Sequence, residues 1–164
     1  MAESETAPKI VPFPKTERGP SSTQQIWGKA VLSHGYTGIP SILIQGQQRL
    51  GINPLQMNII IQLLDFWRDP GRKPFPTKRQ IAARIGVNEK TIQNNIRQLE
   101  KAGLILRQQR KTASGDWNSN IYDLSGLVER VGKMEPDFAA AKQKRREANN
   151  YAETPAGRRS QASS

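Results

Sequence analysis

Apolar residues are sparse up to residue 25 and then fall into a succession of short patterns. Ile26, Trp27, Ala30, Val31 and Leu32 carry rough helical spacing, which His34-Gly35-Tyr36-Thr37-Gly38 breaks. A second run, Ile42, Leu43 and Ile44 with Leu50 and Ile52 beyond, fits helix or strand, and we read it as helix. Asn53-Pro54 is a helix start, an N-cap side chain followed by proline at the first helical position. The helix it opens runs to about Trp67 and stops at Asp69-Pro70-Gly71. Leu55, Met57, Ile59, Ile60, Ile61, Leu63, Leu64, Phe66 and Trp67 make it apolar nearly all round. Such a helix needs cover on several sides, which makes it the central core helix. A homodimer interface is the alternative occupant of those faces.

The pattern then tightens. Thr77-Lys78-Arg79-Gln80 is a capping box: the Thr hydroxyl takes one free amide and Gln80 reaches back to another. The short helix it opens, Lys78 to Ile85, buries Ile81, Ala82 and Ile85. Gly86 suits a left-handed turn position, because it has no Cβ to clash there. Asn88 caps a second helix from Glu89 to Ala102, closed by Gly103, with Ile92, Ile96 and Leu99 on one stripe. Leu104-Ile105-Leu106 reads as a strand and Asn120–Leu124 (NIYDL) as its partner, joined by a polar, turn-rich connection. Ser125 is the expected cap of a last short helix carrying Leu127, Val128 and Val131; Asp137 to Asn150 is helical in propensity but mostly polar.

Charge changes this picture because it is local. Between Arg72 and Lys111 lie eleven Lys and Arg residues against two acids, Glu89 and Glu100, so this window holds +9 of the total +11. Two short helices joined by a tight turn set the second across the first, where it can enter a major groove. Rotating about 100° per residue away from Ile92, Ile96 and Leu99 leads to Lys90, Asn94, Arg97 and Lys101. Thr91, Gln93 and Gln98 flank them. Arg and Lys match the edge of guanine, Asn and Gln that of adenine. The N-terminal half of such a helix reaches the bases, so Lys90, Gln93, Asn94 and Arg97 are the candidates for readout and Lys101 for phosphate. The plainer reading of the stripe is a solvated helix face. The capping box before it and the hairpin after it favour the interface.

These residues carry a resemblance. PFPTKRQIAARIGVNEKTIQNNIRQLEKAGLI, followed by a basic turn and NIYDLSGL, is similar to the winged helix-turn-helix domains of bacterial, plasmid and phage regulators and replication proteins. Here Asn88 stands where the family pattern has Ser, and Asn94-Asn95 where basic residues are frequent, so base preference is not carried over. The resemblance covers about residues 54–124 and implies a mainly α fold with a small antiparallel β-hairpin, the wing. It further implies phosphate or minor-groove contacts from Arg107, Arg110 and Lys111; from the charge of the basic window, Arg72, Lys78 and Arg79 are further candidates for phosphate. Trp117 is either a wing-tip contact or a packing residue across the hairpin.

Composition bounds the rest. Hydrophobic content of 35% is low for a wholly globular chain of 164 residues. We expect a disordered tail at 1–23, one domain at 24–132 and a basic, largely polar, partly helical tail at 133–164. The absence of cysteine excludes disulfides and thiolate chemistry. The acidic, polar start MAESETAPK is no signal peptide, and Leu55 to Trp67 is too short to span a bilayer. His34 is the lone histidine and reads as structural or exposed, Asp65 and Asp69 read as a solvated pair, and no phosphate-cradling Gly-rich loop is present. We therefore expect no enzyme and no cofactor, but a cytoplasmic, nucleoid-associated protein bound to double-stranded DNA. Transcriptional regulation is the leading role and plasmid or phage replication initiation the nearest alternative. A basic RNA-binding or ribosome-associated protein is the second, and the 6% aromatic content argues against stacking on RNA bases.

Overall fold

Asn53 and Thr77 each open a helix with a reciprocal pair of hydrogen bonds, and the frame of the protein follows from those two starts. In the computed structural model, residues 19–110 and 119–154 are described. Lys111 and Trp117 of the sequence analysis lie outside them. The chain divides into two units, Met1–Tyr36 and Thr37–Ser164. In the first, Ser21 Oγ accepts from the Gln24 amide at 3.2 Å and starts α1 (Ser22–Trp27); α2 (Lys29–Leu32) follows across Gly28. Neither helix buries a residue.

The second unit holds the core. It contains α3 (Ser41–Gln45), α4 (Pro54–Phe66), α5 (Lys78–Ile85), α6 (Glu89–Lys101), the strands β1 (Leu106–Gln108) and β2 (Ile121–Asp123), and α7 (Ser125–Glu153). The run at Ile42 is helical, as read, and Leu50 and Ile52 beyond it are buried. At the start of α4 the Asn53 side chain accepts from the Gln56 amide at 2.8 Å while Gln56 Oε1 accepts from the Asn53 amide at 3.0 Å. Every residue from Leu55 to Trp67 is buried or half-buried, so the all-round apolar helix is covered within the unit. Its fully buried members Ile59, Ile60 and Leu63 meet Ile81, Ile92, Ile96, Leu99, Leu104 and Tyr122 in one cluster.

The hairpin is antiparallel, with Leu106 opposite Asp123, Arg107 opposite Tyr122 and Gln108 opposite Ile121. β1 starts later than the apolar run predicts, since Leu104 and Ile105 are buried but not in the strand. The reason lies in the end of α6. The amides of Gly103 and Leu104 turn back to the carbonyls of Glu100 (2.9 Å) and Leu99 (3.0 Å), the closure that a left-handed residue after a helix produces. Gly103 has φ 72°, so Leu104 finishes the helix instead of opening the strand. On the other side of β2, the Tyr122 amide donates to the Pro74 carbonyl at 2.8 Å. The α4–α5 connection thus lies along the hairpin, and Lys73 bridges to Asp123.

The two C-terminal helical segments of the sequence are one helix. α7 runs 29 residues through Pro136, whose missing amide leaves the Gly132 carbonyl without its helical donor. Its cap is not Ser125: Ser125 is the first helical residue, and its amide donates to the Asp123 carboxylate at 2.9 Å. The helix enters against the end of α6, where Leu127 N–H donates to the Leu104 carbonyl at 2.9 Å. A Cβ on Gly126 would lie 2.2 Å from the Gly103 carbonyl oxygen, so only glycine fits this crossing.

Candidate nucleic-acid interface

α5 begins with Thr77 Oγ1 accepting from the Gln80 amide at 3.1 Å, and Gln80 Oε1 accepts from the Thr77 amide at 2.8 Å. Its first turn carries Lys78 and Arg79 and no acid. Free amides and the helix dipole make this end favour an anion, and the two cations reinforce it. The turn to α6 is made by Gly86 at φ 81°, ψ 34°, with the amides of Gly86 and Val87 both donating to the Ala82 carbonyl. Asn88 then caps α6 by accepting from the Thr91 amide at 2.7 Å. Val87 and Ile85 are half-buried beneath this turn and fix the angle between the helices by packing.

Across α6 the division of faces is nearly complete. Ile92 and Ile96 are fully buried and Leu99 is 1% exposed, whereas Lys90, Asn94, Arg97 and Lys101 are exposed. Gln93 is half-buried at the edge of the stripe. Gln98, a flanking residue, is exposed, yet its Oε1 accepts from Nε2 of buried Gln56 at 2.8 Å. Asn95 donates to the Thr91 carbonyl at 2.9 Å and so turns back on its own helix.

Charge pairing sorts the cations further. Lys73 pairs with Asp123, Arg84 with Asp65 at 2.9 Å, and Arg107 with Glu100 at 3.3 Å. Two of the acids are shifted accordingly. Hydrogen bonds from Lys73 and Ser125 lower Asp123 to about 2, and the Thr37 hydroxyl, ahead of Arg84, holds Asp65 below the usual carboxylate range. By contrast, Lys78, Arg79, Lys90, Arg97, Lys101 and Arg110 have no carboxylate partner among the described residues. Of the sequence candidates, then, Arg107 stands apart, half-buried and neutralised by Glu100. Arg110 lies over the Phe75 ring with its guanidinium carbon 5.8 Å from the centroid, and Arg72 lies over the same ring at 5.0 Å. Phe75 was not among the sequence candidates; its setting in Pro74-Phe75-Pro76, inside the basic window, is the signal that marks it.

The helix-turn-helix thus presents cations with no carboxylate partner among the described residues, and a hairpin follows it. Residues 50–105 match the family model described as a helix-turn-helix domain. Residues 50–105 thus form a helix-turn-helix domain. The fold of the chain is similar to the N-terminal domain of DnaD protein from Geobacillus kaustophilus, at 19% identity and TM-score 0.51, covering 77% of this chain and 99% of that one. Two further solved structures are an S. aureus MepR–DNA complex, at 20% identity and TM-score 0.41 over 69% of this chain and 86% of that one, and a possible transcriptional regulator from Methanosarcina mazei. The latter is 14% identical, with TM-score 0.41 over 66% of this chain and 85% of that one. No curated protein sequence matches. Within this domain α6 is the second helix of the helix-turn-helix, and the β1–β2 hairpin follows it. Among the described residues no helix is long and apolar enough to cross a membrane, and no cluster of three or more metal-ligating side chains occurs.

Proposed function

We propose that the protein binds double-stranded DNA with sequence preference and regulates transcription at the sites it selects. The carrying observation is the outer stripe of α6: Lys90, Asn94 and Arg97 face solvent from a helix locked to the core, with no carboxylate to occupy them among the described residues. In this reading Lys90, Gln93, Asn94 and Arg97 meet base edges. Lys101, Lys78 and Arg79 meet phosphates on either side, and Arg110 and Lys111 do so from the wing. Arg107 takes a phosphate only by exchanging it for Glu100, so its share is smaller. The protein sits in the cytoplasm on the nucleoid.

Binding to duplex DNA in competition with structured RNA, over a range of salt, tests this reading. About five phosphate contacts per chain give a log–log salt slope near −5 for duplex DNA. A slope shallower than about −2, or preference for RNA, would sink it. Fragments selected from random duplex report stoichiometry as well, since a palindromic site means that two copies bind together.

A further inference from the structure

Phe75 has no task in the interface as described so far. It stands between Pro74 and Pro76, both fully buried, yet its own ring is 36% exposed. The prolines restrict the backbone on either side, and the Pro74 carbonyl is tied to the Tyr122 amide, so the ring is presented from a fixed base. The two guanidiniums over it come from different parts of the chain, Arg72 from the α4–α5 connection and Arg110 from just beyond β1. Neither has a carboxylate partner among the described residues. An arginine stacked on a ring keeps its N–H edge available for a bidentate contact. It also loses less conformational freedom when it grips an anion than an unsupported one does.

Access is open. Arg72 and Phe75 line a cleft of about 490 Å³ together with Arg68 and Arg84. The carboxylates of this cleft are engaged, Asp65 by Thr37 and Arg84, Asp69 by the Gly71 amide. We propose that Phe75 is a positioning residue that holds Arg72 and Arg110 as a two-armed clamp for a backbone phosphate of duplex DNA beside the wing. This rests on the DNA-binding reading above.

The test is a double-mutant cycle on the full chain, read as duplex affinity and salt slope, with melting followed by circular dichroism for each variant. Phe75→Ala is expected to weaken binding about three- to ten-fold and to make the slope shallower by about one unit, although no charge is removed. Phe75→Tyr restores both. Arg110→Gln costs less in the Phe75→Ala background than in the wild type, because its support is already gone. Should Phe75→Ala fail to fold, Phe75→Leu keeps the apolar bulk without the ring face and is expected to show the same losses. A wild-type slope in the folded Ala or Leu variant, or independent effects of Phe75→Ala and Arg110→Gln, overturns the clamp alone. A wild-type chain that binds no duplex overturns the DNA reading and the clamp with it.

Discussion

α6 and the second half of α7 are both helical and both rich in cations, and they differ in what lies beneath the charge. Under Lys90, Arg97 and Lys101 sit Ile92, Ile96 and Leu99, each 0–1% exposed, so backbone and stripe are fixed together. Around Lys142, Lys144, Arg145 and Arg146, by contrast, every residue from Ala139 to Glu153 is exposed, and no buried face orients the cations. A core beneath a helix sets where each side chain points, and base readout depends on that direction. Charge without such a base attracts a polyanion but reads nothing. On the proposed reading, recognition therefore belongs to α6, and the basic part of α7 adds affinity at most.

The largest effect that breaks this comparison removes the base of α6. Ile92→Ala empties a fully buried position and is expected to lower stability by about 2–5 kcal/mol, measured by chemical denaturation. Binding then falls because α6 loosens. Next come the proposed phosphate contacts. Lys101→Ala or Lys78→Ala is expected to weaken all duplexes alike and to make the salt slope shallower by about one unit each, while Arg107→Ala, already offset by Glu100, changes it less. Titration calorimetry at several salt concentrations ranks the three. An Arg107 effect larger than that of Lys101 would reverse our ordering.

A smaller effect concerns acid. Asp123, held at about 2 against its ordinary 3.8, ties the α4–α5 connection to the hairpin and the start of α7. Its folded-state value is depressed, so its contribution is present above the ordinary carboxylate range and is lost as pH falls from about 4 toward 2. Melting temperature across that range is expected to drop less steeply for Asp123→Asn than for the wild type. The smallest effect is expected from neutralising Lys142, Lys144, Arg145 and Arg146 to Gln together: a modest, sequence-independent loss of affinity with base preference intact. A change in the selected site would place readout on α7 and collapse the contrast.

What could be read from residue order follows the same division. The starts of α4 and α5 were legible because Asn53-Pro54 and the box from Thr77 to Gln80 are local: cap and amide are three residues apart. The stripe of α6 was legible because its apolar spacing fixes the opposite face. Closures set by backbone conformation and by how the elements meet were not. Leu104 looks like a strand residue until Gly103 turns it back onto Leu99, and Ser125 looks like a cap, whereas Leu124 holds the cap position and the Asp123 carboxylate accepts the Ser125 amide. Charge pairing was hidden because it depends on how β1 folds back on the end of α6 and on where the connection lies. Nothing near Arg107 in sequence reveals that Glu100 neutralises it, and Arg72 and Arg110 meet over Phe75 from 38 positions apart.

The central claim is that the outer stripe of α6 reads base pairs, and site selection from random duplex DNA by Arg97→Ala and Asn94→Ala tests it most directly. Each folded variant is expected to lose about 1–3 kcal/mol on the wild-type site and to relax preference at one base position, while preference elsewhere stays unchanged. Wild-type base preference in both variants, with folding verified by circular dichroism, would show that the stripe faces solvent in the complex and that another element reads the sequence.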